Sequence, residues 1–192
     1  MTEDYRLERH GNPLENDPGA FQRRQRLQQL GLTRTGAREL DAFAADLAAD
    51  VSSMTGGGLP YTMVNLFFDA DQEPVQYFAG LHDPNGGMKR YMNLNEGFCA
   101  HVVKRRLALQ LDDVCDYPRF GENPALDLLN VRTYLGAPVI DDDGTVLATV
   151  CTVDNDVRKY GRDGIAFIKE KANAVLDILK RPLTPVVDGE RL

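Results

Sequence analysis

The sequence predicts an α+β domain built on a mostly antiparallel sheet. Two observations predict it. A strand pair that reads as a hairpin stands at each end of the strand set, "YTMVNLFF" with "PVQYFAGL" and "VRTYLGAPVI" with "TVLATVCTVD". Long amphipathic helices precede the first pair and follow the last, so a layer of helices can cover one face of a single sheet. Such a layer leaves apolar surface for a second copy, and a homodimer through the terminal helices is expected.

The elements follow in order. Residues 1–20 are polar with Gly, Pro and Asn punctuation and read as a loose tail. Residues 21–34 form a helical extension in which Gly31 stops "FQRRQRLQQLGL", and the domain proper spans 35–181. From Ala37 to Met54, Leu40, Phe43, Ala44, Leu47, Ala48 and Val51 recur at helical spacing, and "TGGG" ends the helix. "YTMVNLFF" (61–68) is apolar on both alternating faces apart from Asn65, as in a central strand covered on both sides. "DADQE" is a turn and "PVQYFAGL" (74–81) the antiparallel partner; "HDPNGGMKR" is loop. A shorter helix is expected over Glu96–Arg106 with Asn95 as its N-cap, then a strand in "LALQL" (107–111). "DDVCDYPRFGENP" lacks either periodicity, and "ALDLLN" fits a helical turn or two. The second hairpin turns at Asp141-Asp142-Asp143-Gly144, residues that tolerate left-handed backbone angles. A helix from Asp163 to Lys180 carries Ile165, Ile168, Ala172, Val175, Leu176 and Leu179 on one side, and Pro182 and Pro185 end it before a tail at 182–192.

Bulk properties narrow the function. A chain of 192 residues fits one domain, and at this size it hides roughly 70% of the surface of its unfolded chain. The net charge of −7 disfavours binding along a nucleic-acid backbone, which needs a basic stripe to displace counterions. No apolar run approaches the roughly 18 residues of a membrane span, and "MTEDYRLERHGNPLENDPG" has no apolar core of a secretory signal. Cys99, Cys115 and Cys151 are widely spaced without a CxxC, indicating neither a zinc site nor a disulfide framework. A cytoplasmic, reducing setting is expected, with no metal.

"GFCAHVVKRRLALQLDDV", then "VRTYLGAPVIDDDGTVLATVCTVD", then a closing amphipathic helix resembles the GAF domain family over roughly residues 37–180, and "YPRF…NP" is similar to small stand-alone bacterial members. The resemblance implies a PAS-like antiparallel sheet of five or six strands with terminal helices behind it. In front it implies a pocket roofed by the short helix and the irregular loop. It also implies dimerisation through the terminal helices and a pocket ligand among cyclic nucleotides, haem, bilins, small anions or amino-acid derivatives. Which cofactor, if any, is left unknown: the Cys-His dipeptide of bilin attachment and the Asn-Lys-Phe-Asp signature of cyclic-nucleotide binding are absent, and His10, His82 and His101 are scattered.

The candidate ligand-binding residues are Asn65, Phe67 and Tyr77 on the first hairpin, Phe98 and Cys99 at the short helix, and Asp113, Tyr117, Arg119 and Phe120 in the irregular loop. Arg132, Tyr134, Thr149 and Cys151 on the second hairpin complete the set. Each has a structural alternative. Phe98 fits the buried stripe of its helix. Asp113 or Asp116 fits an ion pair with Arg119 inside the loop. Arg132 and Tyr134 fit either an anionic ligand or the rim. On the last strand, Thr149 and Cys151 share a face with Leu147 and Val153, the more polar of the two, as a pocket floor would be; Val146, Ala148, Val150 and Thr152 take the other. The expected function is a non-catalytic sensory module: a small molecule orders the loops at 82–95 and 112–130. The terminal helices then carry the change to a dimer mate or a separate effector. The alternatives are a thiol enzyme resembling free methionine-R-sulfoxide reductase, with Cys99 catalytic, and a ligand-free interaction scaffold.

Overall fold

A computed structural model describes residues 12–69, 74–121 and 123–186, the side chains of 127–129 excepted. The expected tail residues 1–11 and 187–192, and residues 70–73 of the "DADQE" turn, lie outside the described residues. Six strands form one antiparallel sheet in the order β4-β3-β2-β7-β6-β5, comprising β2 (Tyr61–Phe68), β3 (Val75–His82), β4 (Tyr91–Asn93), β5 (Leu109–Leu111), β6 (Thr133–Ile140) and β7 (Val146–Asp154). The central pair is β2 with β7, as the two-sided apolar pattern of "YTMVNLFF" requires. The flat cover on one face comes from α1 (Ala20–Gln29), α2 (Arg38–Thr55) and α5 (Gly164–Leu179). Their apolar stripes, Leu27, Leu40, Leu47, Val51, Ile168 and Val175, meet Val64, Leu66, Leu135, Ala137 and Val150 of the sheet. The opposite face is capped by α3 (Cys99–Arg105), α4 (Pro124–Leu129) and two single-turn helices, Val114–Asp116 and Pro118–Phe120.

Several sequence expectations shift. Residues 12–20 are not a loose tail: Leu14 is buried in the cluster on the capped face, and Arg23 of α1 bonds Asp17 at 2.6 Å and Asp69 at 3.1 Å. The 21–34 extension therefore packs on the domain, with Leu27 in the core. The segment after the last helix is also used, since a two-stranded ladder pairs β1 (Gly36–Ala37) with β8 (Pro185–Val186). The expected loop at 82–95 is interrupted, because Tyr91–Asn93 adds an edge strand to β3.

The short helix begins at Cys99 rather than Glu96. Gly97 sits at φ +80°, outside helical space, and Glu96 instead accepts hydrogen bonds from Asn93 through its carboxylate. Its N-cap is Phe98, so Asn95 does not cap it.

Candidate functional site

The floor of the capped face is set by strand register. Asn65 lies between Phe78 and Thr149, and Met63 lies opposite Cys151, which in turn faces Gly136. Alternation then puts Met63, Asn65 and Phe67 on this face and Val64 and Leu66 against the helices. Tyr77 pairs with Leu66, so it stands on the helix side, and Gln76 takes its place near the floor. The expectation for Tyr77 fails because the strand's phase is fixed by Leu66, not by aromatic content. The expectation for the last strand needs one change. A register shift between Val139 and Ile140 brings Val146 opposite Ile140 and reverses the alternation there. Val146 joins the capped face and Leu147 the helix side, while Thr149, Cys151 and Val153 keep their places.

Five polar side chains meet at the centre of this floor. The Asn65 amide donates to Thr149 Oγ1 at 3.0 Å, to Cys99 Sγ at 3.2 Å and to Cys151 Sγ at 3.5 Å. Cys99 and Cys151 sulfurs lie 3.4 Å apart, and Tyr134 Oη is 3.3 Å from Cys99 Sγ. Tyr134 reaches that point by folding over Gly136, where any Cβ would fall 2.2 Å from its hydroxyl. All five residues are buried, and Asn65 Oδ1 has no hydrogen-bond partner. Burial alone would raise the Cys99 thiol. The hydrogen bond with Cys151 outweighs it, with help from Thr149, Tyr134 and Asn65, and holds Cys99 below the ordinary thiol range. The same contact, followed by burial, pushes Cys151 well above it. Burial likewise raises the Tyr134 phenol, and the neighbouring sulfurs add to the effect.

The roof descends from the loops. Phe98 packs edge-on against Phe120 at 5.4 Å and tilts over Tyr134 at 5.1 Å. Asn123 staples the two roof segments: its Oδ1 accepts from Gly97 N and caps α4 at Ala125 N, and its Nδ2 donates to Gly97 O at 2.7 Å. Gln76 fixes the other side, donating to the carbonyls of Asn93 and Glu96. Neither residue was among the expected site residues. Asn123 had a visible signal, since Asn before Pro124 is an N-cap with proline at the first helical position. Between floor and roof is a cavity of about 30 Å³, lined by Asn65, Cys99, Cys151, Met63, Met88 and Met92 among others. That volume suits a single water, whereas ligand sites run to roughly 300–1,000 Å³. Phe67 belongs to the same apolar cluster beside the cavity.

The remaining expected site residues lie away from it. Arg132 bonds Asp113 at 2.7 Å, and the guanidinium holds that carboxyl below the usual range. Asp113 thus pairs with Arg132, where the sequence leads one to expect Asp113 or Asp116 with Arg119. Tyr117 and Arg119 are exposed, the guanidinium lying over the outer face of Phe120. The third cysteine, Cys115, is exposed on the same loop. A second hollow of about 220 Å³ lies where residues 13–23 meet α3 and the start of β7, lined by Arg23, Lys104 and Arg106 but also Glu15 and Asp17. Among the described residues no group of three or more His, Cys, Asp or Glu is placed to hold a metal ion, and no helix is long and apolar enough to cross a membrane.

Comparison with known proteins matches this architecture. The sequence profile of the family described as the GAF domain matches residues 39–175. A cyclic di-GMP phosphodiesterase of Pseudomonas aeruginosa is 28% identical over 131 residues, which is 68% of this chain. The chain spans about one fifth of that relative, 20% of its length. Among solved structures, the GAF domain of an Acinetobacter phosphoenolpyruvate-protein phosphotransferase superposes with TM-score 0.54 at 13% identity, covering 86% of this chain and 94% of that one. A free methionine-R-sulfoxide reductase from Neisseria meningitidis, in complex with its substrate, superposes with TM-score 0.53 at 15% identity, covering 89% and 95%. At these identities the structural likeness speaks for the fold alone.

Proposed function

The chain belongs to the GAF domain family, and within it we propose a non-catalytic receptor for a small, mainly apolar molecule that carries one hydrogen-bond donor. The observation that carries this reading is Asn65. Its carbonyl oxygen is buried beside the cavity without a partner, and such a group costs roughly 1–3 kcal/mol to leave unpaired. A donor on the ligand satisfies it, while Phe78, Phe98 and the methionines receive the apolar body. The present volume describes a closed site. Met88 and Met92 sit on the 83–97 segment, and unbranched thioether chains adapt to irregular ligands more readily than branched ones. Opening moves that segment outward and shifts β2 in the floor beneath it.

The floor also gives a route for a signal. Asn65 and its neighbours Val64 and Leu66 alternate between the cavity and the helix layer, so a shift of β2 is felt by α2 and α5. A ligand biases that shift by its difference in affinity for the open and closed forms. A dimer mate or a separate effector then reads the helices. A thermal-shift screen of small N–H- or O–H-bearing apolar compounds tests the receptor. Compounds that raise the melting temperature of the wild-type protein are expected to lose that effect in Asn65→Leu. Equal shifts in both proteins contradict the proposal.

One observation favours a second reading, a thiol reductase: Cys99 has a thiol neighbour in Cys151, which no sequence spacing indicated. Turnover of free methionine sulfoxide, lost in Cys99→Ser, is what that reading requires.

A further inference from the structure

We propose that Cys99 and Cys151 form a two-electron redox site, which a small hydroperoxide oxidises to a disulfide between the start of α3 and the sheet. The two thiols are free, lie 3.4 Å apart and come from positions 52 residues distant in the chain. A disulfide needs the sulfurs at about 2.05 Å, and these two already stand in van der Waals contact. Both line the cavity, whose volume of about 30 Å³ admits a molecule near the size of water, and hydrogen peroxide is only slightly larger. The Asn65 amide donates toward both sulfurs and so favours negative charge there.

The two sulfurs have different parts. Cys99 is the one held low by its neighbours and serves as nucleophile; Cys151 keeps its proton. The Cys99 thiolate attacks one oxygen of hydrogen peroxide. The O–O bond breaks, the leaving hydroxide takes up the proton that Cys99 gave up, and Cys99 becomes a sulfenic acid. Cys151 sulfur then attacks Cys99 sulfur: the S–S bond forms, the S–O bond breaks, and water leaves with the Cys151 proton. In sum, two thiols and one hydrogen peroxide give one disulfide and two waters. An external dithiol reverses the reaction by exchange. Oxidation ties Phe98, next to Cys99, down onto the floor and holds the roof shut. The site stands on the sulfur geometry and does not depend on a ligand.

The test uses the full chain carrying Cys115→Ser, which removes the exposed thiol. The protein is treated with equimolar hydrogen peroxide, denatured, alkylated and digested without reductant. The expected result is one cross-linked peptide pair joining Cys99 to Cys151, a mass loss of about two daltons, and recovery of both thiols with dithiothreitol. Cys99 and Cys151 remaining fully alkylatable, or turning separately into sulfinic acids without a cross-link, overturns the proposal. In Cys151→Ser, Cys99 is expected to stop at a sulfenic acid that dimedone traps; should that variant fail to fold, the peptide map alone decides. A disulfide forming in protein that binds no small molecule upholds this site and counts only against the receptor.

Discussion

On one side of β2, Val64 and Leu66 meet Leu40, Leu47 and Ile168; on the other, Met63, Asn65 and Phe67 meet Phe98, two thiols and a phenol. The two faces of one strand are built from different chemistry. The helix side is a close aliphatic fit whose few polar groups are hydroxyls: Thr62 is satisfied by a helix carbonyl, Ala44 O, while Thr152 Oγ1 and Tyr160 Oη are buried without a partner. The capped side places an amide, a hydroxyl, a phenol and two thiols at its centre, leaves one oxygen unpaired, and surrounds them with adaptable methionines. Buried polar groups of this kind are a poor way to gain stability, because each must be desolvated and paired. The contrast teaches that stability resides on the helix side and recognition on the other.

The comparison breaks most readily by disturbing the helix side. Ile168→Ala removes a fully buried side chain from α5 and is expected to cost about 2–5 kcal/mol, read from denaturant unfolding. Gly136→Ala tests the capped side's rigidity. Its new methyl collides with the Tyr134 hydroxyl, and the expected cost is about 1–3 kcal/mol with a changed Tyr134 environment in near-ultraviolet circular dichroism. A loss as large as that of Ile168→Ala would mean the polar centre is as essential to folding as the aliphatic layer.

The N-terminal helix adds a pH-dependent attachment. Burial pushes the Asp141 carboxyl up, but the bond from Arg26, with the Asp142 amide and Lys180, outweighs it and leaves the carboxyl below its ordinary value of 3.8. A depressed carboxylate stabilises the fold at pH above its unfolded value, and that contribution fades as pH falls through the folded one. Asp141→Asn is therefore expected to cost about 1–2 kcal/mol at neutral pH and to flatten the loss of stability seen in acid. An unchanged acid limb would place the titration elsewhere. The smallest effect belongs to Arg119→Ala, on the exposed outer side of Phe120, where a change within about 0.5 kcal/mol is expected from the melting curve.

Much of this contrast is legible in the sequence, and the gaps have physical causes. The stripe Leu40, Ala44, Leu47, Ala48, Val51 and the pattern of "YTMVNLFF" announce the helix layer and a central strand, because periodicity reports burial directly. Asn65 stands out as the one amide in a largely apolar strand. Which face a strand turns to a ligand depends on its phase, and phase is set by partners: Gln76 rather than Tyr77 faces the floor, and the bulge at Leu147 exchanges the faces of Val146 and Leu147. Contact between Cys99 and Cys151 is a property of the folded register, since 52 residues separate them and no spacing rule links a helix start to a strand centre. Arg132 and Asp113 found each other for a similar reason, across the mouth of the loop.

The central claim is that Asn65 anchors a small molecule in the cavity of the capped face. Native mass spectrometry of the purified protein beside Asn65→Leu tests it most directly, because the substitution keeps the volume and removes the amide. A discrete small-molecule adduct is expected on the wild-type protein, released on denaturation and missing from the folded variant. An adduct of equal occupancy on both proteins, or none on a wild-type protein incubated with the compounds that raise its melting temperature, would contradict it.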